Sequence, residues 1–410
     1  MINLLSEADN REKFCILPFN ALQISQFHVT PCCKMQFLEP VGDSWKETFD
    51  RYFSSQKLKL MQDDFLANQT PMVCQRCFLG NGQSLYPGQK LKDYRHSVVN
   101  GMVNPVIQDN TEMQMLNILL TNTCNLRCRH CSPGCSSSLN KIWDDNLTQL
   151  TNCPKTPPIK SDELIDELIS NPNFAGVRNV LLSGGEPLML KRLREVTEKF
   201  AENGANKIGI VTNLSDDPFD FLDYFNQLGE KIYATVTVSV DGDKDMHAYH
   251  RNGLDIEAFV RNAKKLSSLK NIHVCIMIAV DAINIFKFPA IIDFLFELFD
   301  CPLFIQLSLV ENDYLRIRNY PIELRQLALD RVKTYIENFP HHDKVSGPNA
   351  LTVTDQIRQT LEKSLTVPFN QESFDKFLRY LEILDSKYET SFREEIPELA
   401  PFLQQAKPLS

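Results

Sequence analysis

Between Leu116 and Val310, apolar strand-length runs alternate with helix-length amphipathic segments, and this alternation restricts the fold more than any other feature. A strand followed by a covering helix returns to the sheet in parallel, because an antiparallel return needs only a tight turn. The strand-like runs are Leu116 to Leu120, Val177 to Leu182, Lys207 to Val211, Ile232 to Val240, Ile272 to Val280 and Leu303 to Val310. Between them, Leu164, Ile165, Leu168 and Ile169 share one helical face, as do Leu190, Leu193, Val196 and Phe200. Phe219, Leu222, Phe225 and Leu228 form another, behind Asp217 as N-cap and Pro218 at the first helical position. Helices from about Asp255 to Leu269 and near Ile285 to Leu298 complete the set. Six βα units, over residues 112–312, are too few for a closed eight-stranded barrel, and the expected fold class is α/β.

At 410 residues the chain exceeds what one core holds, so further lobes are expected. Residues 1–97 form a cysteine-rich module, and 98–111, with Gly101 and Pro105, a linker. Residues 313–410 are helical. There, Leu324, Leu327, Val332, Ile336 and Phe339 share a face, His341-His342 and Gly347-Pro348 interrupt it, and helices follow over 351–365, 374–384 and 391–399. This tail is expected to cap the barrel or the cysteine module, with no chemistry beyond helping to select substrate.

The loop leaving the first strand carries Cys124, Cys128 and Cys131. Thiolates are soft ligands, and three of them on a cubane iron-sulfur cluster leave one iron open to a molecule that is not protein. A structural zinc ion would instead need a fourth ligand, for which Cys135 is the local candidate. A second set comprises Cys15, Cys32-Cys33, Cys74 and Cys77. Strands at Asn20 to Ser25 and His28 to Thr30 would form a hairpin that brings Cys15 close to Cys32 and Cys33. With Cys74 and Cys77 the set supplies four thiolates, enough for a closed cluster or for zinc. The twelve cysteines cluster by spacing instead of scattering as a disulfide framework would. Met1 to Asn10 does not resemble a signal peptide, and no apolar stretch is long enough to span a bilayer, so a cytoplasmic setting without membrane contact is expected. A formal charge of −9 argues against nucleic acid as the main partner.

The second strand ends in Ser183-Gly184-Gly185-Glu186-Pro187. Two glycines let the backbone approach a ligand, the carboxylate can take an ammonium group, and proline fixes the exit. Asn213, Ser239 and Asp241 fall at carboxyl ends of strands, where barrel enzymes keep working residues, although each alone could equally be a turn former. From Asp241 to Gly253 the chain contains His247, His250 and Arg251. The arginine could hold a carboxylate bidentately, whereas the histidines are expected in a solvated polar loop. Cys275 is expected in the core.

The Cys124 to Cys131 loop resembles the cluster-binding loop of the radical S-adenosylmethionine (radical SAM) superfamily, CxxxCxxC, with His130 in the place usually held by an aromatic residue. Gly184 to Pro187 looks like that family's GGEP motif, and the six βα units over residues 112–312 match the partial (β/α)6 TIM-like barrel that the resemblance implies. The resemblance implies a 4Fe-4S cluster on Cys124, Cys128 and Cys131 whose open iron chelates the methionine part of SAM. It also implies that His130, Gly184, Gly185, Glu186 and Pro187 lie at the SAM site, with Glu186 binding the amino group. Asn213 and Ser239 would meet the ribose or carboxylate, and Asp241 and Arg251 would lie beside the active site. One electron would cleave the sulfonium to methionine and a 5'-deoxyadenosyl radical that abstracts hydrogen from a peptide or small-molecule substrate. A one-electron reductant such as a flavodoxin or ferredoxin would supply the electron.

Phe14 to Phe19, Pro31-Cys32-Cys33, and Cys74 to Cys77 followed by Gly82 and Ser84 resemble the family's auxiliary "twitch" or truncated SPASM module. This implies a second 4Fe-4S cluster on Cys15, Cys32, Cys74 and Cys77, used for electron transfer and structural support. Two departures stand out: Phe27 replaces the family's hairpin glycine, and the adjacent Cys33 leaves the third ligand ambiguous, with family spacing favouring Cys32. The competing function is a non-catalytic, zinc-stabilised binding scaffold, which would be colourless where an iron-sulfur protein is brown.

Overall fold

The computed structural model describes residues 15, 17–32, 35, 38–75, 113–215, 218–310 and 312–403. Cys33, Cys77, Gly82, Ser84, the expected cap Asp217 and the 98–111 linker lie outside the described residues. In chain order the elements are β1 (Ala21–Ile24), β2 (His28–Thr30), β3 (Glu39–Pro40), α1 (Trp45–Phe53), α2 (Gln56–Leu66), β4 (Met115–Thr121), β5 (Arg127–Cys128), α3 (Asp145–Thr151) and α4 (Ser161–Ser170). There follow β6 (Asn179–Gly184), α5 (Leu193–Glu202), β7 (Lys207–Thr212), α6 (Phe219–Leu228), β8 (Tyr233–Ser239), α7 (Lys244–His250), β9 (Arg251–Asn252), α8 (Ile256–Ser267), β10 (Ile272–Val280), α9 (Phe288–Leu298) and β11 (Leu303–Leu309). Three long helices, α10 (Ile322–Glu337), α11 (Gly347–Leu365) and α12 (Gln371–Tyr388), end the chain's regular structure apart from short turns. Strand and helix alternate as expected, in an α/β fold with a mostly parallel sheet and a helical C-terminal region. Among the described residues, no helix is long and apolar enough to cross a membrane.

The chain forms two compact units, the first from Met1–Asn122, Pro158–Val211 and Gln227–Thr235, the second from Thr123–Pro157, Thr212–Asn226 and Val236–Ser410. In the first, the strand order is β7-β6-β4-β1-β2-β3. The helical crossovers make β4, β6 and β7 parallel, with Met115 opposite Asn179 and Asn179 opposite Lys207. The expected hairpin forms from β1 and β2, and β1 adds in parallel to β4, pairing Ala21 with Met115 and Ile24 with Ile118. Ile118, Leu120, Leu182, Ile208 and Ile210 are fully buried. Helix α1 is capped by Ser44, which accepts from the Glu47 N–H, and sets Phe49 edge-on against Phe174 at 5.1 Å.

In the second unit β10 and β11 pair in parallel from Val274 opposite Leu303 to Val280 opposite Leu309. Their period of two buries Val274, Ile276, Ile278 and Val280. Cys275, expected in the core, is instead half-buried on the other face, because its phase is that of Met277 and Ala279. The polar stretch after β8 is not a solvated loop. Asp243 caps α7 by accepting from the Met246 N–H at 3.0 Å, and His247 and His250 are fully buried. Gly242 permits this tight entry, since a Cβ there would overlap the backbone of Met246 and His247.

Helix α11 begins at Gly347, earlier than periodicity suggests, because Pro348 sits in the first turn, where no N–H is needed. Buried Arg325 joins α10 to the end of α11, donating to the carbonyls of Tyr320, Ser364 and Val367, each at 2.6 Å. Between the cysteine loop and α4, Asp144 caps α3, and Trp143 Nε1 donates to the Cys153 carbonyl at 2.7 Å.

Candidate cluster and cofactor site

In the second unit, β5 and β9 form a two-residue antiparallel ladder, Arg127 opposite Asn252 and Cys128 opposite Arg251. The ladder fixes the middle of the cysteine loop against the residues that follow α7. Cys124 and Cys128 are buried and Cys131 is half-buried, all packed with Leu126 and Leu254. A turn closes the last two, with the Cys131 N–H donating to the Cys128 carbonyl at 3.1 Å. Cys124 Sγ accepts from the Leu126 N–H at 3.4 Å and from Asn213 Nδ2 at 3.8 Å, and Cys128 Sγ accepts from Arg251 Nη1 at 3.8 Å. The Cys131 thiol hydrogen-bonds to Cys128 and, with Arg251 and His250, outweighs burial to bring the Cys128 thiol down to about 7. Serving as donor in that bond, together with burial, raises Cys131 well above its ordinary value. Three thiols on one loop, supplied with N–H donors, fit a soft metal centre with three protein ligands. Cys135 is exposed, its N–H donating to the Ser132 carbonyl at 2.8 Å.

Beside the ladder lies a buried charge network. Burial opposes the charge on Asp241, but Arg251, with His130 and His250, overcomes it and holds the carboxyl well below the usual range. Asp241 Oδ2 accepts from Arg251 Nε at 2.7 Å and Nη2 at 2.6 Å, and Oδ1 accepts from the Ala279 N–H at 2.8 Å. The Asp241 N–H donates to His247 Nδ1 at 3.1 Å. His130 and His250 face each other through Nδ1 atoms 3.1 Å apart, and His250 Nε2 lies 2.9 Å from Asp281 Oδ2. Burial brings His130 down to about 4, whereas Asp281 more than offsets burial at His250 and raises it. Both histidines are thus held by partners distant in sequence, which a pattern of nearby polar residues could not reveal.

Asn213 closes β7. Its Nδ2 also donates to Asn125 Oδ1 at 3.0 Å, while its Oδ1 accepts from the N–H and hydroxyl of Ser215. Leu214 between them is left-handed, with φ 55°. Ser239 ends β8 and is half-buried. Asn125, Ser215, Asp281 and Asn284 escaped sequence analysis. Asn284 Nδ2 donates to the Asp241 carbonyl at 2.9 Å, and the only signal for it was its position just beyond β10.

In the first unit, Gly184 ends β6 with φ +134°, and a Cβ there would overlap the Thr121 carbonyl oxygen. The Gly185 N–H donates to that same oxygen at 2.6 Å. The close backbone approach at these glycines is therefore to the end of β4. Glu186 is 2% exposed and caps the short turn Pro187–Met189, with Oε1 accepting from the Leu188 N–H at 3.1 Å. Cys15, Cys32 and Cys74 are half-buried in the same unit. Thr30 Oγ1 donates to the Cys32 carbonyl at 3.0 Å, and Cys74 Sγ is 4.0 Å from Met61 Sδ. Phe27 is exposed in the hairpin turn, which Ser25 closes by donating its N–H to the His28 carbonyl at 3.0 Å. Phe27 is absent from the residues with positive φ, so this turn does not require glycine.

Residues 118–295 match the model of the Radical SAM superfamily. Over 131 residues the chain is 31% identical to a GTP 3',8-cyclase of Synechocystis sp., covering 32% of this chain and 34% of that protein. Over 160 residues it is 32% identical to molybdenum cofactor biosynthesis protein 1 of Dictyostelium discoideum, covering 38% of this chain and 22% of that protein. The chain thus spans about a third or less of the length of these relatives. Similar solved structures include anSMEcpe with bound AdoMet, with 16% identity and a TM-score of 0.36, covering 54% of this chain and 60% of that one. Another is Streptococcus suis SuiB bound to S-adenosylmethionine, with 14% identity and a TM-score of 0.35, covering 74% and 66%.

Proposed function

We propose, from the match of residues 118–295 to the Radical SAM superfamily model, that the chain is a radical SAM enzyme acting on a peptide or small-molecule substrate. The observation that carries this is the buried loop of Cys124, Cys128 and Cys131, with N–H donors on two of its sulfurs. These thiolates would hold three irons of a 4Fe-4S cluster. When bound there, the cluster and SAM would supply one-electron cleavage chemistry, giving a 5'-deoxyadenosyl radical to abstract hydrogen. The chain's own residues bind and orient. Leu126 and Asn213 donate to Cys124, and Arg251 faces Cys128 while Asp241 balances its charge. Glu186, on the turn that Gly184 and Gly185 make possible, would take the SAM ammonium. Asn213 and Ser239 would meet its ribose or carboxylate, with His130, Pro187, Asp241 and Arg251 completing the surroundings.

In the same proposal Cys15, Cys32, Cys74 and Cys77 hold a second 4Fe-4S cluster that assists electron transfer, and a flavodoxin or ferredoxin delivers the electron. The test is iron and sulfide content after anaerobic reconstitution, with a 5'-deoxyadenosine assay. Wild type should carry about eight irons, and the triple variant Cys124→Ala, Cys128→Ala, Cys131→Ala about four, with deoxyadenosine formed by wild type alone. Zinc in place of iron, or no SAM cleavage by loaded and reduced protein, would overturn the proposal in favour of a zinc-stabilised scaffold.

A further inference from the structure

The cysteine loop is gripped from the C-terminal end of the chain, within the second unit. Arg129, between Cys128 and Cys131, is fully buried. Its Nη2 donates to Asp385 Oδ1 at 2.7 Å and to Thr390 Oγ1 at 2.6 Å, and its Nε donates to the Tyr249 carbonyl at 3.0 Å. The guanidinium lies 3.7 Å from the centre of the Tyr249 ring. The two residues flanking Cys128 are also held through their carbonyls: Tyr388 donates its hydroxyl to Arg127 at 3.0 Å, and Tyr380 to Arg129 at 2.6 Å. Tyr380, Asp385 and Tyr388 all belong to α12, beyond the residues that match the family model.

Packing alone does not account for these contacts. Helix α12 already buries Phe377, Leu381 and Leu384 completely. A buried ion pair adds little stability over apolar residues of similar size. What the pair does accomplish is electrostatic and geometric. Arg129 anchors the loop, and Asp385 cancels its charge, so that the loop is fixed without a net positive charge between two of its cysteines.

We propose that Arg129 and Asp385 are positioning residues that set the reduction potential of the metal centre, and that Tyr380 and Tyr388 hold the loop in its ligating conformation. This rests on Cys124, Cys128 and Cys131 holding a cluster. An uncompensated positive charge near a cluster stabilises its reduced form and raises its potential.

The experiment is redox titration of the reconstituted full-length protein, following the electron paramagnetic resonance signal that changes on adding SAM, together with the rate of iron loss to a chelator. Asp385→Asn should shift the midpoint to more positive values, and adding Arg129→Met to it should return the midpoint toward wild type. Tyr380→Phe, Tyr388→Phe should lose iron about tenfold faster with an unchanged far-ultraviolet circular dichroism spectrum. A wild-type midpoint in Asp385→Asn, or no return in the double variant, overturns the charge-compensation role. Should Asp385→Asn fail to fold, the tyrosine variant decides, and iron loss at the wild-type rate overturns the inference. A wild type that takes up no iron-sulfur cluster overturns the proposed function as well, which distinguishes the two failures.

Discussion

Arg251 stands opposite Cys128 in the β5/β9 ladder, its Nη1 3.8 Å from the cysteine sulfur and its Nε 2.7 Å from Asp241 Oδ2. One guanidinium thus bridges a thiol and a carboxylate, with Arg251 and Asp241 both buried. Its charge favours the thiolate, and Asp241 limits that effect.

Asp241→Asn should therefore cost about 3–5 kcal/mol of folding stability, because it leaves the Arg251 cation buried without its counter-ion. Denaturant unfolding of the metal-free protein measures this. Arg251→Lys keeps the charge but not the two-nitrogen contact, and should cost less.

Gly184→Ala should destabilise the protein by about 1–3 kcal/mol, since the positive φ of Gly184 disfavours any side chain and the Thr121 carbonyl occupies the place of a Cβ. If the turn carries Glu186 into a SAM site, SAM affinity measured by equilibrium dialysis should fall as well. Unchanged affinity in folded protein would remove Glu186 from that site.

Asn213→Asp places a carboxylate where an amide now donates to Cys124 Sγ. A negative charge beside the cluster should move its midpoint to more negative values, opposite in sign to Asp385→Asn.

Cys32→Ser should reduce the iron of reconstituted protein from about eight to about four atoms, whereas Cys33→Ser should leave it near eight. The reverse pattern would assign the ligand to Cys33, and about eight irons in both would remove Cys32 and Cys33 alike from the required ligands of the second cluster.

Much of the fold was legible because it rests on local periodicity. Ile272–Val280 occurs with the bounds expected, and the face of Leu164, Ile165, Leu168 and Ile169 falls in the helix Ser161–Ser170, since their apolar residues repeat with strand and helical spacing and need no distant partner to be recognised. The three-cysteine spacing was equally local. Cys275 was misplaced because Val274 to Val280 is apolar throughout, and the one residue that marks its phase as the outer one, the exposed His273, stands near the strand's start.

By itself, then, the sequence determined the βα alternation, the cysteine loop and the glycine turn, all written in residues close together along the chain. Only the tertiary structure decided that His247 and His250 are buried, that Arg251 faces Cys128, and that α12 grips Arg129. Burial of a polar or charged group depends on whether partners arrive to satisfy it. For His250 that partner is Asp281, and for Arg129 it is Asp385, residues that only folding brings within reach.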